Sequence, residues 1–519
     1  MNMRTLPKQH VSKVGTISQI RTHTKRQRSS SLIRFIFASM TILQFNDPAT
    51  TNVVQALSVR APVQRVVLVG GGHAHAQVLR ALNKQSRPKN LQVTLIDAQT
   101  SASYSGMVPG CVSKLYKPED TLLHLKPLCD WADIQFYHDE VVDVNLDERY
   151  VCLRHSKQRV PYDVVSVDIG SASRGLDETP GARENTIPTR PISDLVRRID
   201  DAEKCLGTEA HVVVIGGGAA GVELSMSMVG RWRPILGDKL RVTVLDGGDK
   251  LLPHESDECR NKLDELLCKR GIEVLHNCDV SEITKEHVLL KSGIQMDYTH
   301  CIWATGAGAH PLAHKLKANG LAVNKRGWIQ VDKNLQSISH PSIFAAGDCA
   351  SMEGLPNGPP PKAGVYAVRS GPVLIENLTG YLQSKPLKPY VPQDDFLKLL
   401  VCGDGTALGF RFGIPIYGKW VFRLKDKIDL MFMNLFKVEN LPVLEDGAKF
   451  DTSQYDAIAD KDRVPLDPAF AAEVIQREDD EVDFQLAWDV FRDMAKDASY
   501  RDQVLLYRTH QATVPVARQ

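Results

Sequence analysis

The chain has 519 residues, of which 43% are hydrophobic and 24% are charged, and its formal net charge is +1. This composition is typical of a globular protein with two or three domains. No apolar run reaches the roughly 18 residues that a membrane-spanning helix needs. The ten cysteines form no C-x-x-C pair and no metal-ligand spacing, which argues against a disulfide framework and against a metal site.

The charge is unevenly distributed along the chain. Residues 1–46 contain eight Lys or Arg and no Asp or Glu, so the rest of the chain is acidic overall, and we expect no nucleic-acid partner. An acid-free, basic N-terminus predicts that residues 1–60 are an organelle-targeting presequence, with the mitochondrion favoured and the plastid as the alternative. The apolar residues 35–45 could instead form the core of a signal peptide, and a flexible basic arm is the third option.

The first ordered element is predicted at residues 65–75, where a β-branched run breaks into a glycine turn and then a helical stretch. Such a turn lets the backbone approach a pyrophosphate at the helix start. The third glycine of the G-x-G-x-x-G pattern is replaced by a histidine, which either pushes the helix outward or turns to a polar partner. The predicted cofactor-contacting residues here are Gly70, Gly72, His73, Ala74 and His75.

A second, complete copy of the motif lies at residues 211–221, with Gly216, Gly218 and Gly221 in register. One such motif is weak evidence, but two in order suggest a chain that holds two dinucleotides face to face. A flavin and a nicotinamide are the pair for which that arrangement makes chemical sense.

An acidic residue ends the second predicted strand of each unit, Asp97 in the first and Asp246 in the second. We expect each carboxylate to accept hydrogen bonds from ribose hydroxyls. Because a carboxylate repels a 2′-phosphate, Asp246 favours NADH over NADPH. The alternative is that each aspartate only caps the turn that follows its strand.

Three further predicted strands end in glycine: residues 162–171 contain Gly170, residues 297–306 end in Thr305-Gly306, and residues 343–348 end in Gly347-Asp348. Together with the two glycine turns, they resemble the flavoprotein family that includes the pyridine nucleotide–disulfide oxidoreductases and the type II NADH dehydrogenases. The resemblance implies that the cofactors are FAD and NADH.

The resemblance also implies an α/β fold with two Rossmann-like domains, the NAD domain being inserted into the FAD domain, and a small C-terminal unit. The expected boundaries are 61–190 and 335–385 for the FAD domain, 191–334 for the NAD(H) domain, 386–440 for the C-terminal unit and 441–519 for an acidic tail.

Two roles near the flavin are carried over from this family. Asp348 would bind the ribityl chain of FAD, and residues 361–363, with Lys362 and Ala363, would open a helix that faces the flavin pyrimidine ring. A helix start at that place stabilises the negative charge of a reduced flavin. In the family, the strand ending in Ala-Thr-Gly, here with Thr305 and Gly306, closes a nucleotide domain.

A narrower resemblance rests on residues 70–75, 104–110, 403–409 and 418–429. These segments are similar to type II NADH dehydrogenase-like proteins that in some bacteria are fused ahead of selenophosphate synthetase. The similarity covers about residues 62–438, and it is more specific for fold and cofactor than for the electron acceptor.

The cysteine pattern bears on that acceptor. A disulfide reductase of this family needs a C-x-x-x-x-C pair against the flavin, but Gly106 stands where the partner of Cys111 would be. Electrons from NADH would therefore leave the flavin for another acceptor, most naturally a quinone. Glu223, in the first helical turn after the second glycine motif, has a counterpart in type II dehydrogenases that is thought to assist proton delivery. The alternative is a carboxylate favoured by the helix dipole.

The C-terminal part carries a predicted basic amphipathic helix at residues 419–438. Its apolar face consists of Trp420, Leu424, Ile428, Met431, Phe432 and Leu435. Such a helix can contact a membrane surface peripherally, or its apolar face can pack on the FAD domain. In the tail we predict no periodic core pattern before residue 484 and a short amphipathic helix near residues 484–491.

Two other functions stay open at this stage. One is oxidation of sulfide or selenide through cysteines near the flavin, for which Cys111, Cys301 and Cys349 are the candidates. The other is a redox sensor or assembly factor similar to apoptosis-inducing-factor-like flavoproteins, with the acidic tail as its only support. A homodimer is one option for the assembly.

Overall fold

The computed structural model describes residues 62–444, 465–477 and 483–512. The predicted presequence at residues 1–60 lies outside the described residues. So do residues 445–464 and 478–482 of the predicted tail.

The first of two large sheets is built from five parallel strands. In their order across the sheet, the strands are Ile343–Ala345, Val164–Val167, Gln64–Val69, Leu91–Asp97 and Gln135–His138. Val66, Val67 and Leu68 are each at most 1% exposed, as expected of a strand covered on both faces.

The second sheet also has five parallel strands. Their order is Ile187–Pro188, His300–Trp303, Ala210–Ile215, Leu240–Leu245 and Ile272–Leu275. The chain therefore completes four strands of the first sheet, builds the second and then returns with Ile343–Ala345. This nesting confirms the predicted α/β fold with one nucleotide-binding unit inserted into the other.

Three helices organise these sheets: α1 (His73–Ala81) and α2 (Ala219–Leu236) follow the glycine turns, and α3 (Gly364–Leu382) packs against α1. The other helices of this region are Val108–Val112, Leu125–Ala132, Ala182–Asn185, Ile192–Lys204, Asp257–Lys269 and Pro311–Ala318.

Each large sheet is accompanied by a small antiparallel one. The first has strands Val141–Asn145, Tyr150–Leu153 and Arg159–Pro161, and the second has strands Val280–Ile283, His287–Leu290 and Gln295–Asp297. Three two-stranded ladders pair Ser101–Ser103 with Leu122–His124, Ile329–Val331 with Ala350–Met352, and Ala172–Ser173 with Ala307–Gly308.

The chain passes between the two units near residues 187 and 305. Strand Ile187–Pro188 already belongs to the second sheet. Leu312, Leu316 and Ile329, which lie in the range predicted for the NAD(H) domain, pack in the core around the first sheet. The segment that forms the second sheet thus runs from residue 187 to residue 303.

The C-terminal part forms a three-stranded antiparallel sheet of Lys398–Val401, Ala407–Arg411 and Ile414–Gly418, followed by α4 (Lys419–Asn434). Three helices of the tail follow: α5 (Pro468–Gln476), α6 (Phe484–Lys496) and α7 (Ala498–Ala512).

The tail helices form one core with the C-terminal sheet and α4. Ile475, Phe491 and Val504 are buried in a cluster that also contains Trp420 and Leu424. The helix predicted near residues 484–491 is present and is longer, whereas the sequence analysis placed no helix at α5. This short helix is stabilised by tertiary burial and by an N-cap, because the Asp467 side chain accepts from two backbone N–H groups.

The apolar face predicted for residues 419–438 is mostly covered. Trp420 and Leu424 are buried against the tail helices, and Phe432 lies in the core of the first sheet. Met431 is 48% exposed. Of the two alternatives for this helix, the structure shows the apolar face packed inside the protein. The tail helices cover part of that face in addition to the unit that contains the first sheet. No helix among the described residues has the length and apolarity to cross a membrane.

Candidate functional site

The first glycine turn is closed against Asp168. Gly70 has φ +86°, and a Cβ atom there would lie 2.5 Å from the Asp168 carbonyl oxygen. Gly72 is the N-cap of α1, and a Cβ atom on it would overlap the Asp168 carboxylate. Both positions therefore require glycine, because the turn packs directly onto Asp168.

His75 replaces the third glycine by turning to polar partners inside the protein. Its Nδ1 lies 2.6 Å from the Gly70 carbonyl oxygen and its Nε2 2.8 Å from the Ser166 hydroxyl oxygen. Burial lowers the pKa of His75 to about 4, so the ring is neutral at pH 7. Because a carbonyl only accepts, Nδ1 donates to Gly70 and Nε2 accepts from Ser166.

Of the two options for His75, the structure shows the turn to polar partners, and its assignment as a cofactor-contacting residue stays a prediction. The ring fills the interface between α1 and the first sheet, where a fingerprint glycine would allow direct contact.

His73 has a different environment at the first residue of α1. Its ring lies 5.3 Å from the Tyr104 ring and 6.0 Å from the Phe432 ring, measured between centroids. Burial lowers its pKa to about 4. Its Nε2 is a buried atom that has no hydrogen-bond partner in the described part of the chain. An unsatisfied buried nitrogen beside a glycine turn is consistent with a ligand contact there.

The two strand-end aspartates both lie against glycine turns. Asp97 accepts from the N–H of Gly71 at 2.6 Å and from that of Gln99 at 2.7 Å, so it does cap the turn that follows it. The buried Asp246 side chain lies beneath Gly217, and one of its oxygens is 3.3 Å from His276 Nδ1. Both carboxylates thus stand at the carboxyl edge of their sheet, where dinucleotides bind in this kind of fold.

The second glycine turn has the geometry of the complete motif. Gly216 has φ +120° and abuts the Ala304 carbonyl oxygen, while a Cβ atom on Gly221 would collide with the Gly216 carbonyl. Gly218 is the N-cap of α2, and a Cβ atom there would meet nothing within 4 Å. The space beside Gly218 at the start of α2 is therefore free of other atoms of the described residues, whereas Gly216 and Gly221 pack against neighbouring backbone atoms.

The carboxyl edges of the two sheets are joined. After Gly170, the segment Ala172–Ser173 pairs with Ala307–Gly308, which follows Thr305 and Gly306. The Thr305 hydroxyl donates to the Arg174 carbonyl at 2.5 Å, and Arg174 Nη2 donates to the Thr305 carbonyl at 2.7 Å. Thr305 and Gly306 therefore lie at the junction between the two units.

Gly347 and Asp348 occupy the end of strand Ile343–Ala345. Gly347 has φ +67°, and a Cβ atom on it would lie 2.5 Å from Asp168 Oδ1. Asp348 accepts from the Ser171 hydroxyl at 2.9 Å and pairs with Arg190 Nη1 at 3.4 Å. The sequence analysis missed Ser171 and Arg190, which come close to Asp348 only through the fold.

Residues 361–363 were predicted to open a helix, and the helix begins directly after them, at Gly364, with Ala363 as its N-cap. The Lys362 ammonium lies 4.3 Å from the centre of the Trp328 ring and donates to the Ala350 carbonyl. Burial lowers its pKa. Lys362 is therefore held by protein groups beside the start of α3.

Glu223 lies within the first turn and a half of α2 and reaches the C-terminal sheet. One carboxylate oxygen accepts from the Val401 N–H at 2.8 Å. Burial raises its pKa to about 7, against the opposing effect of the nearby Lys425 ammonium. Glu223 is thus a partly buried carboxyl with a raised pKa, whereas the alternative, a carboxylate favoured by the helix dipole, predicts a lowered pKa.

A buried ion pair on α4 lies near Glu223. Lys425 Nζ is 2.5 Å from Asp429 Oδ2 and 2.5 Å from the Gly106 carbonyl oxygen, and both side chains are buried. The Asp429 carboxylate faces the Tyr104 hydroxyl, whose pKa is raised well above its usual value by burial and by this carboxylate. The burial of Lys425 does not follow from the predicted basic amphipathic helix, because helical periodicity does not show which polar residues a tertiary contact will bury.

Asp168 is a further residue near the site that the sequence motifs did not indicate. It is 3% exposed, and its Oδ2 accepts from the N–H groups of Ala74 at 2.9 Å and His75 at 3.2 Å. Burial raises its pKa to about 7. The available signal was an aspartate directly after the apolar strand Val164–Val167, two residues before Gly170.

The three candidate cysteines are buried on separate elements. Cys111 lies in helix Val108–Val112, Cys301 in the second sheet and Cys349 after strand Ile343–Ala345. Burial is the main cause that raises the thiol pKa, to about 11 for Cys111 and about 12 for Cys349. These thiols are therefore protonated at neutral pH.

The chain is similar to known proteins over most of its length. The pyridine nucleotide-disulphide oxidoreductase family model matches residues 64–371. The type II NADH:quinone oxidoreductase of Haemophilus influenzae is 24% identical over 409 residues, which cover 69% of this chain and 90% of that protein.

Two solved structures resemble the fold. The sulfide:quinone oxidoreductase of Aquifex aeolicus has a TM-score of 0.64 at 17% identity, covering 78% of this chain and 96% of that one. NDH2 from Plasmodium falciparum in complex with NADH has a TM-score of 0.59 at 16% identity, and the match covers 74% of this chain and 100% of that one.

Proposed function

This chain belongs to the pyridine nucleotide-disulphide oxidoreductase family and is an oxidoreductase that uses FAD and NADH, and we propose that its electron acceptor is a quinone. The observation that carries the proposal is the position of Glu223, a partly buried carboxyl bonded to the Val401 N–H with a pKa raised to about 7, in a protein whose candidate thiols are unpaired. The type II NADH:quinone oxidoreductase from Haemophilus influenzae supports the same acceptor.

The residues of the first unit fit FAD. The turn at Gly70 and Gly72 excludes side chains, and the buried His73 Nε2 lacks a partner among the described residues. In this proposal the turn and His73 hold the pyrophosphate, Asp97 holds the adenosine ribose, and Asp348 holds the ribityl chain. When bound, the flavin supplies the step that accepts hydride from NADH and passes the electrons on.

The second unit would hold NADH. Gly216 and Gly218 form the turn for its pyrophosphate, Gly221 permits the close packing of α2, and Asp246 accepts from the ribose hydroxyls. The carboxylate of Asp246 would repel a 2′-phosphate, so NADH is the expected substrate over NADPH. The ladder between residues 172–173 and 307–308 supports this arrangement, because it joins the two carboxyl edges.

Glu223 is proposed as the proton donor to the acceptor. Reduction of a quinone by two electrons takes up two protons, and a carboxyl with a pKa of about 7 can release one and regain it at neutral pH. The Val401 N–H holds the carboxyl in place, and Lys425 favours its charged form after the proton has left.

The sulfide or selenide alternative needs a thiolate next to the flavin. The raised thiol pKa values of Cys111, Cys301 and Cys349 disfavour it, since each would have to lose its proton from a buried site. We therefore favour the quinone.

The cellular setting is proposed on the composition of the chain. The basic, acid-free residues 1–46 support import into an organelle, with the mitochondrion favoured over the plastid. Peripheral membrane contact through residues 419–438 and a homodimer stay predictions. With Trp420 and Leu424 buried, such contact would depend on outward side chains such as Met431.

The proposal is tested by anaerobic spectroscopy of the purified protein. NADH should bleach the yellow flavin absorption, a short-chain water-soluble ubiquinone should restore it, and NADPH should bleach it more slowly. A flavin that NADH bleaches and the quinone fails to reoxidise would contradict the assigned acceptor. Equal rates with NADH and NADPH would contradict the role of Asp246.

A further inference from the structure

The carboxyl of Asp168 lies at the centre of the first glycine turn. It accepts from the backbone N–H groups of Ala74 and His75, near the N-terminus of α1. A Cβ atom on Gly72 or on Gly347 would overlap it, so the two glycine segments that bracket the FAD site close directly onto this side chain. Any dinucleotide held at this turn has Asp168 as a neighbour.

The surroundings of Asp168 are mostly acidic or neutral. The charges of Asp348 and Asp97 both disfavour its ionised form. The His75 ring is neutral and turned away to Ser166, and the Cys349 thiol nearby keeps its proton. Only the N–H groups of Ala74 and His75 favour the ionised form.

The basic groups of the region have other partners. Arg190 pairs with Asp348 at 3.4 Å, and Lys362 lies over the Trp328 ring. Neither forms an ion pair with Asp168 in the described part of the chain. A further anion at this turn therefore meets a carboxylate that has no cationic partner in direct contact among the described residues.

We propose that Asp168 binds a proton when FAD binds, so that the carboxyl is neutral beside the diphosphate of the cofactor. The inference rests on the assignment of FAD to the first glycine turn. The proton comes from solvent and adds to one carboxylate oxygen, and no other bond changes. The FAD diphosphate stays ionised throughout the neutral pH range.

The consequence is a defined pH dependence of FAD affinity. In the protein without cofactor, Asp168 has a pKa of about 7, and a neighbouring diphosphate raises this pKa further because like charges repel. Below pH 7 the Asp168 carboxyl is already mostly neutral, so FAD binding takes up only a small fraction of a proton. Above pH 7 a proton must be added, so the dissociation constant of FAD should rise by up to about tenfold per pH unit.

The test is a calorimetric titration of the apoprotein with FAD at pH 8, carried out in phosphate and in Tris, whose ionisation enthalpies differ widely. Wild type should take up close to one proton per FAD. Asp168→Asn keeps the shape and an oxygen acceptor but has no charge, so its proton uptake should be near zero and its affinity should vary little between pH 6.5 and 8.5.

A control variant, Asp97→Asn, and a measurement of FAD release test the same proposal independently. Asp97→Asn removes the other carboxylate that contacts the turn; it should bind FAD more weakly and still take up the proton. Release of FAD from the diluted holoprotein, followed by flavin fluorescence, should accelerate with pH in wild type and not in Asp168→Asn.

Two negative results have different meanings. A purified protein that neither contains nor binds FAD would overturn the cofactor assignment itself. If FAD binds with equal heats in both buffers, or if Asp168→Asn takes up as much proton as wild type, the proposal for Asp168 is wrong while the assigned function stands.

Discussion

At the scale of single residues, the site depends on carboxyls whose protonation is set by burial. Glu223 and Asp168 both have a pKa of about 7, in each case mainly because burial penalises the charged form. They differ in their partners. Asp168 is bound by backbone N–H groups at a helix start, whereas Glu223 lies near a lysine and spans from α2 to the C-terminal sheet. A buried carboxyl with a pKa near 7 is suited to proton transfer, and Glu223 is the one proposed for it.

Replacing Glu223 by glutamine should impair the quinone half of the reaction. Because the folded-state pKa is about 7, the protonated form falls as pH rises, so wild-type quinone reduction should decline above pH 7. Glu223→Gln cannot donate a proton and should reoxidise the flavin roughly a hundredfold more slowly, without that decline. Stopped-flow measurement of both half-reactions checks this.

The NADH half-reaction serves as the internal control for that variant. Flavin reduction by NADH should stay within about twofold of wild type, because hydride transfer needs no carboxyl at this position. Loss of both half-reactions to the same extent would indicate a structural role for Glu223 and argue against proton donation.

At the scale of elements, the two strand–turn–helix units solve the same packing problem in different ways. In the second, Gly221 lets α2 approach the Gly216 carbonyl directly. In the first, His75 fills the gap and hydrogen-bonds to Gly70 and Ser166. The deviation from the fingerprint is therefore compensated by hydrogen bonds within this strand–turn–helix unit and with strand Val164–Val167.

Restoring the fingerprint glycine should therefore destabilise the protein. His75→Gly removes a buried ring and two hydrogen bonds, at a cost of about 2–4 kcal/mol in the free energy of unfolding. Ser166→Ala removes one of those bonds and should cost about 1 kcal/mol. Denaturant unfolding measures both values. The FAD content per folded molecule should be unchanged in each variant, and a selective loss of FAD in His75→Gly would show that the ring does bind the cofactor.

At the scale of the whole molecule, the tail completes the C-terminal unit. Helices α5–α7 share a core with the C-terminal sheet and α4, and Arg508 of α7 pairs with Glu258 of helix Asp257–Lys269. The tail therefore connects the C-terminal unit with the second nucleotide-binding unit. It also covers apolar side chains of α4 that would otherwise be available to a membrane.

Truncation after residue 440 should reveal both effects. The buried Trp420 and Leu424 would become exposed, so the Tm should fall by at least about 5 °C and binding to anionic lipid vesicles should increase. Removing only residues 513–519 keeps all three tail helices and should change neither property. An unchanged Tm after the longer truncation would show that the packing of the tail does not contribute to stability.

The turnover rate of the truncated protein distinguishes the hypothesis of an enzyme from the hypothesis of a redox sensor. Quinone reduction should persist at a temperature where the truncated protein is folded, because the proposed site lies in the two nucleotide-binding units and α4. A protein whose only function is to change its tail surface in response to NADH would show no rapid turnover with or without the tail.

The sequence by itself determined the two nucleotide-binding units and the positions of their turns. These features depend on local rules: β-branched runs form buried strands, and glycines mark turns where a side chain would collide. Asp97 and Asp246 were singled out for the same kind of reason, because the strand ends of a parallel sheet meet at one edge. The family resemblance added the cofactors, the nesting of the two units and the expected role of Asp348.

Only the tertiary structure decided which polar residues are buried together. Asp168 is 94 residues from Ala74 in the sequence, and Lys425 is 319 residues from Gly106. The pKa of Glu223 is raised by burial where its side chain contacts the C-terminal sheet. The covered face of α4 depends on helices some 40–80 residues later in the chain. Periodicity shows that a helix has an apolar face, but it does not show what covers that face, because burial is a property of the packed chain.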